Sequence, residues 1–189
     1  MTSTASPLAA PAVPVLANGA AAPSFEDLLG TDGRRYGLAS FAASDLVVLV
    51  FSSNRCPTAR AYAERLNALQ TDEGPHGLQL VAINSNDPHL YPDESYPRMI
   101  ERAAEDRYTF PYLVDAGQYL ARAFGAACTF HVFLLDRERR VRYQGRFDDS
   151  RLPERVTTHD LRNAIEDLRA GREVRVPTTR PFGCSLDLV

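Results

Sequence analysis

The sequence predicts an α/β domain in which a mixed β-sheet is flanked by helices and carries an N-terminal β-hairpin extension. Three observations carry that reading. Leu46-Val47-Val48-Leu49-Val50-Phe51 is a continuous apolar, β-branched run, the pattern of a central strand covered on both faces. Apolar residues at helical spacing follow it and lead to a second such run, Leu78 to Asn84, which completes a βαβ unit. Further on, two short strand-like runs are separated only by Asp136-Arg137-Glu138-Arg139, a connection too short for anything but an antiparallel hairpin.

The elements follow in order. Phe25 to Phe41 reads as a short hairpin, with a turn at Thr31-Asp32-Gly33 between Leu28-Leu29 and Tyr36-Leu38. After the first strand, Ala59, Tyr62, Ala63, Leu66 and Leu69 predict one helix to about Gln70. Pro57 suits its first position, where a missing N–H costs nothing. A polar loop with Asp87-Pro88 and Tyr91-Pro92 precedes a helix starting near Ser95, with Met99, Ile100, Ala103 and Ala104 on its buried face. Phe110 to Asp115 is extended and Gln118 to Phe124 is a short helix. The closing hairpin uses His131 to Leu135 and Arg140 to Gln144, and a last helix runs from His159 to Ala170 and ends at Gly171. This βαβα–ββα order is the plan of thioredoxin-like folds.

Composition narrows the classes. With 189 residues, 44% of them hydrophobic, the chain has material for one sizeable core. The net charge is -3, and its 21 basic residues, all arginines, are scattered among 24 acidic ones. No nucleic-acid or anionic-membrane partner is expected from that. No run approaches the ~18 apolar residues of a membrane span. Residues 1–22, rich in Ala and Pro and without a basic residue, read as a flexible leader rather than a secretory signal, and a cytoplasmic location is expected. The main domain is expected over residues 23–175, and residues 176–189 as a C-terminal tail able to dock back on it. Three widely spaced cysteines, at 56, 128 and 184, do not make a disulfide framework and leave redox chemistry or metal binding open.

Five segments, in this order, resemble one family: Val48-Leu-Val-Phe-Ser-Ser-Asn-Arg-Cys56-Pro57, Val81-Ala-Ile-Asn-Ser-Asn-Asp87, Phe110-Pro-Tyr-Leu-Val-Asp115, Phe133-Leu-Leu-Asp136 and Thr158-His-Asp-Leu-Arg-Asn-Ala164. Together they are similar to the peroxiredoxin-like branch of the alkyl hydroperoxide reductase/thiol-specific antioxidant superfamily. The resemblance covers about residues 23 to 186, closing on Phe182-Gly-Cys184-Ser, and implies a thioredoxin-like redoxin domain. It also has departures. Cys56-Pro57-Thr58-Ala59 has alanine where a thioredoxin keeps its second cysteine. Leu49 stands where the peroxiredoxin loop has proline, and Ser53 where it has threonine. Phe130 stands both at the peroxide-binding arginine position and at the cis-proline position.

Cys56 precedes the predicted helix start, where unpaired N–H groups and the helix dipole favour the reactive thiolate. It is the candidate nucleophile. By fold analogy Cys128 lies close to it and is the candidate resolving thiol, with Cys184 as a second candidate if the tail docks. Arg55 and Arg60 flank Cys56 and are candidate substrate-binding groups, as are Thr129 and Phe130 in the facing loop. The bland readings are solvated charge, an Arg60–Glu64 pair, and core filling by Phe130.

The leading expectation is therefore a thiol-dependent oxidoreductase of the peroxiredoxin-like type, needing no cofactor, acting on a small-molecule or protein thiol/disulfide substrate as a monomer or homodimer. The alternative is a copper-binding protein. Cys56 and Cys128 fall on two of the three ligand positions of the Sco family of copper-delivery proteins, with Ser52 at the third, and His131 in a Cys-x-x-His spacing could complete the set. His159, at the start of the last helix, reads as a capping or surface residue.

Overall fold

The computed structural model describes residues 14–188. Its first strands, β1 (Leu28–Leu29) and β2 (Arg35–Tyr36), form the expected antiparallel hairpin. The main sheet contains β3 (Leu46–Ser52), β4 (Leu78–Asn84), β5 (Tyr112–Val114), β6 (His131–Leu135) and β7 (Val141–Gly145), in the order β5-β4-β3-β6-β7. β3 runs parallel to β4 and antiparallel to β6, so the sheet is mixed. All seven residues of β3 are buried, as a continuous apolar run in a sheet covered on both sides should be.

Alternation along the strands sorts side chains into two cores. Val48, Val50, Leu80, Ala82, Val132 and Leu134 face one core, which holds Cys56, Tyr62 and Phe130. This face is covered by α1 (Pro57–Ala61), α2 (Ala63–Glu73) and α5 (Asp160–Arg169), and α3 (Tyr96–Glu105) adds Met99. Val47, Leu49, Phe51, Val81, Ile83 and Phe133 face the other, closed by α4 (Tyr119–Phe124) and by Phe25 and Phe41 of the hairpin region.

Several expectations need correction. The helix after Cys56 is not continuous: it breaks at Tyr62, whose side chain turns into the core and stacks on Phe130 with ring centroids 4.3 Å apart. On α3, Ile100 and Ala104 are exposed, and the buried face is made by Met99 and Arg102, the latter paired with Asp106 at 2.5 Å.

The expected flexible leader falls partly outside the described residues, at 1–13. Its remainder packs onto the domain. The Leu16 and Ala22 amides donate to the Phe124 and Arg139 carbonyls, at 2.9 and 2.8 Å, and both side chains join the second core. Among the described residues no helix is long and apolar enough to cross a membrane.

The C-terminal segment lies across the sheet edge and one end of the strands. Arg172 and Arg175 pair with Asp167 of α5, at 2.8 and 3.0 Å. The Gln144 amide then donates to the Pro177 carbonyl at 3.0 Å, and the Thr179 amide to the Gln144 carbonyl at 3.1 Å, extending the sheet past β7. Glycine is needed where the segment comes closest: a side-chain carbon on Gly145 would fall 2.2 Å from the Thr179 hydroxyl, and one on Gly183 would fall 1.7 Å from the Thr129 carbonyl oxygen.

Candidate active site

Cys56 sits where the chain leaves β3 and enters α1, with Pro57 in the first helical position. It is only 2% exposed. The turn leading to it is held from below by a buried polar network. The Cys56 amide donates to Ser53 Oγ at 3.1 Å, and the Ser53 hydroxyl donates to Glu94 Oε1. Glu94 Oε2 accepts from the Asn54 amide at 2.8 Å and from Asn84 Nδ2, at the end of β4, at 2.9 Å. The Tyr112 hydroxyl of β5 donates to Asn54 Oδ1 at 2.9 Å. The turn is thereby tied to β4 and β5. The Ser53 hydroxyl, at the position where the peroxiredoxin loop has threonine, gives its proton to Glu94.

The loop facing Cys56 has been rebuilt around Phe130. No peptide bond among the described residues is cis, and Phe130 instead adopts φ +77°, a left-handed conformation that costs a bulky residue energy. Burial offsets this: Phe130 is 2% exposed, stacks on Tyr62, and its amide donates to the Phe51 carbonyl at 2.5 Å. It is a core residue that shapes the loop and not a wall of the cavity beside Cys56.

That cavity, about 150 Å³, is lined by Cys56, Cys184, Thr129, Arg55 and Tyr91 among others. The Thr129 hydroxyl is buried without a hydrogen-bond partner. Arg55 lies over the Tyr91 ring, 4.1 Å from its centroid. Arg60 is exposed and does not line the cavity; its charge acts on Asp106, and no Arg60–Glu64 pair is formed.

The tail supplies the roof. The Thr129 amide donates to the Cys184 carbonyl at 2.9 Å, the Tyr91 hydroxyl donates to the Asp187 carboxylate, and Gln118 Nε2 donates to the Asp187 carbonyl at 2.8 Å. These contacts bring the Cys184 side chain against Cys56. Burial first, then a hydrogen bond to Cys56 and its charge, push the Cys184 thiol up to about 11, opposed by a hydrogen bond from the Thr58 amide. Cys128 is half-buried and is likewise pushed up to about 11, mainly by burial and further by Cys56 and Cys184 nearby. All three cysteines thus gather at one end of the sheet, as free thiols.

His131 does not join them. Its ring lies tilted against that of Phe133, centroids 4.4 Å apart, on the opposite face of the sheet from the Cys56 core, because the two residues are two apart on β6. Nδ1 accepts from the Ala127 amide at 3.2 Å, so Nε2 carries the proton that goes to Gln144 Oε1 at 2.8 Å. Burial pushes this imidazole down to about 4. The ligand set Cys56, Cys128 and His131 is therefore not assembled, and no cluster of three His, Cys, Asp or Glu side chains among the described residues is arranged to hold a metal ion. His159 occupies the N-cap position of α5 without a side-chain cap.

Sequence reasoning missed Glu94, Asn54, Asn84, Tyr91 and Asp187. Glu94 stands in Pro92-Asp93-Glu94-Ser95, which reads as a solvated loop, and its partners come from two other segments.

A lone cysteine at the end of a central strand, entering a helix on a mixed sheet of this order, defines a thioredoxin-like cysteine protein. The sequence from 17 to 165 matches the Redoxin family model, and the chain belongs to the Redoxin family. It is similar to a hypothetical protein of Sinorhizobium meliloti, with 38% identity and a TM-score of 0.86 over 93% of this chain and 97% of that one. An uncharacterized conserved protein of Geobacillus kaustophilus is 36% identical, with a TM-score of 0.84 over 90% and 92% of the two chains. Peroxidoxin BcpB of Mycobacterium tuberculosis, 22% identical, shares the fold with a TM-score of 0.63 over 82% of this chain and 97% of its own. Among curated proteins nothing matches the sequence.

Proposed function

We propose that the protein is a thiol-dependent oxidoreductase in which Cys56 is the nucleophile and Cys184 the resolving thiol. The observation that carries this reading is the docked tail, which places Cys184, but not Cys128, in the wall of the same small cavity as Cys56. It favours Cys184 over Cys128 as the partner of Cys56. Cys184, its thiol pushed up to about 11 mainly by burial, is assigned the resolving role, and Cys56, at the start of α1, the first attack.

The cavity of about 150 Å³ and the tail across it suit a small oxidant better than an extended protein chain. With a hydroperoxide, the Cys56 thiolate attacks the terminal oxygen, the O–O bond breaks, and the alcohol leaves with a proton, giving Cys56 sulfenic acid. The Cys184 sulfur then attacks the Cys56 sulfur, water leaves, and a Cys56–Cys184 disulfide forms. Two thiols have been oxidised and the hydroperoxide reduced by two electrons, and an external dithiol returns the pair to its starting state by exchange. Thr129 lines the cavity, and its buried hydroxyl, without a partner, is the group assigned to meet the oxidant's oxygens once the loop yields to it.

The test treats reduced protein with one equivalent of hydrogen peroxide and maps the cysteines by mass spectrometry. A Cys56–Cys184 disulfide is expected. Cys184→Ser should accumulate Cys56 sulfenic acid, trapped with dimedone, and Cys128→Ser should behave as the native chain. Oxidation that leaves Cys56 untouched, or a disulfide that omits Cys184, sinks the assignment.

A further inference from the structure

Glu94 is 3% exposed, and no ion pair among the described residues includes it. A buried carboxylate without a cation is costly unless hydrogen bonds satisfy both oxygens. Here they do. Oε1 accepts from the Ser53 hydroxyl and, at 3.4 Å, from the Arg55 amide, while Oε2 accepts from the Asn54 amide and Asn84 Nδ2. Every group facing the carboxylate is a donor.

The neighbouring amides leave no freedom to reverse this polarity. Asn84 Oδ1 accepts from the Asn86 amide at 3.0 Å and from Asn86 Nδ2 at 2.9 Å, so Nδ2 of Asn84 must point to Glu94. Asn54 Nδ2 donates to the Asp93 carbonyl at 2.8 Å and its Oδ1 accepts from Tyr112. The Ser53 oxygen, its proton committed to Glu94, receives the Arg55 amide at 3.2 Å and the Cys56 amide at 3.1 Å. Three successive amides, at residues 54, 55 and 56, are therefore fixed by one carboxylate, two directly and the last through Ser53.

We infer that Glu94 is the positioning residue of the Cys56 turn: acting through the Ser53 hydroxyl, it fixes the backbone that carries the Cys56 sulfur in register with Cys184. The inference rests on the proposed pairing of these two thiols. Glutamine is the sharp probe because it keeps the shape and supplies one acceptor where four donors need two. If its oxygen keeps Asn54 and Asn84, its NH₂ faces Ser53 and evicts the hydroxyl proton. If its oxygen keeps Ser53, its NH₂ faces two N–H donors.

The measurement is the rate of Cys56–Cys184 disulfide formation in the full chain after hydrogen peroxide addition, across peroxide concentrations, with melting temperature recorded for each variant. Glu94→Gln should slow the maximal rate about tenfold and leave the half-saturating peroxide concentration unchanged, because the carboxylate positions and does not bind the oxidant. Ser53→Ala should slow it similarly, and the double variant should be no slower than the slower single one, the signature of two groups acting in series. A Glu94→Gln rate within about twofold of native, or a double variant slowed by the product of the two single effects, overturns the inference.

Failure of the thiol-pair reading is seen separately. If the native chain forms no such disulfide, alkylation of Cys56 by iodoacetamide replaces it as the readout. The Glu94→Gln effect, about threefold or more with Ser53 present, should then vanish in Ser53→Ala. An effect of equal size in both backgrounds refutes the role of Glu94 on that readout too.

Discussion

The two thiols of the site are held in opposite ways. Cys56 is carried by a turn rooted in β3 and tied from beneath to β4 and β5 through Glu94, Asn84 and Tyr112, all buried. Cys184 is carried by a segment at the edge of the core, held by the hydrogen bond from the Thr129 amide to the Cys184 carbonyl, the Asp187 contacts and the half-buried Phe182, Leu186 and Leu188. The first arrangement can shift only if the core shifts. The second can be lifted away with the core intact, so the pairing of a fixed sulfur with a detachable one gives the site a way to open.

The largest expected effect comes from damaging the core half. Phe130→Ala removes a fully packed ring from between Tyr62 and Phe147 and leaves a residue that still resists φ +77°. Such a truncation costs about 3–5 kcal/mol. Denaturant unfolding should show this loss, together with a slower Cys56–Cys184 reaction because the facing loop no longer sets the tail. A loss under about 1 kcal/mol would mean that Phe130 is strained more than it is packed.

Next comes the acid limb of stability. His131 titrates at about 4 when folded against 6.5 as an ordinary imidazole, so the unfolded chain binds the proton first as pH falls. The stability of the neutral, buried ring is fully present above pH 6.5, declines as pH drops through the interval, and is lost by about pH 4. The span corresponds to about 3 kcal/mol at most. His131→Gln, able to keep one of the two hydrogen bonds, should be less stable at pH 7 and should lose less on going from pH 7 to 4.5. Parallel melting curves for the two proteins over that range would refute this source of acid sensitivity.

The core half was also the legible half. Continuous apolar runs at 46–51 and 78–84 announce strands because burial on both faces demands them, and the antiparallel closure follows from a four-residue turn. Positions that depend on which other segment arrives were not legible. Ala59, Tyr62, Ala63, Leu66 and Leu69 keep helical spacing straight through the break at Tyr62, since the spacing does not register that Tyr62 must turn toward Phe130.

Ile100 looks like a core residue and is exposed, whereas Arg102 looks solvated and is buried against Asp106. The convergence of the three cysteines followed from fold analogy and tail docking, but which of them shares the cavity wall with Cys56 did not, and it is Cys184. His131 failed as a ligand through strand alternation, a rule readable from the sequence once its strand is known.

The tail half is tested by Gly183→Val. A side chain there meets the Thr129 carbonyl, a backbone atom that cannot step aside, so the segment around Cys184 should lift. The core does not depend on it, and melting should change by no more than about 1 kcal/mol. Cys56, now uncovered, should react with iodoacetamide about tenfold faster, while its disulfide with Cys184 forms more slowly. If alkylation and disulfide formation both stay at native rates, the tail is not the cover of Cys56, and the contrast between the two thiols fails.

The smallest expected effect separates the two arginines beside the nucleophile. Arg55 lies over Tyr91, whose hydroxyl holds Asp187, so it touches the cavity wall and the tail together. An exposed cation–π contact of this kind contributes about 0.5–1 kcal/mol, and Arg55→Ala should speed alkylation of Cys56 severalfold at most. Arg60 projects from α1 without reaching the cavity, and Arg60→Ala should leave both alkylation and disulfide formation at native rates. Comparing neutral iodoacetamide with anionic iodoacetate sharpens the point. Only at Arg55 should loss of the cation slow the anionic reagent relative to the neutral one, because a local charge attracts an anion at short range and is screened beyond about 10 Å. An equal effect of the two arginines would locate the attraction in the general field of the helix start and remove Arg55 from the wall of the site.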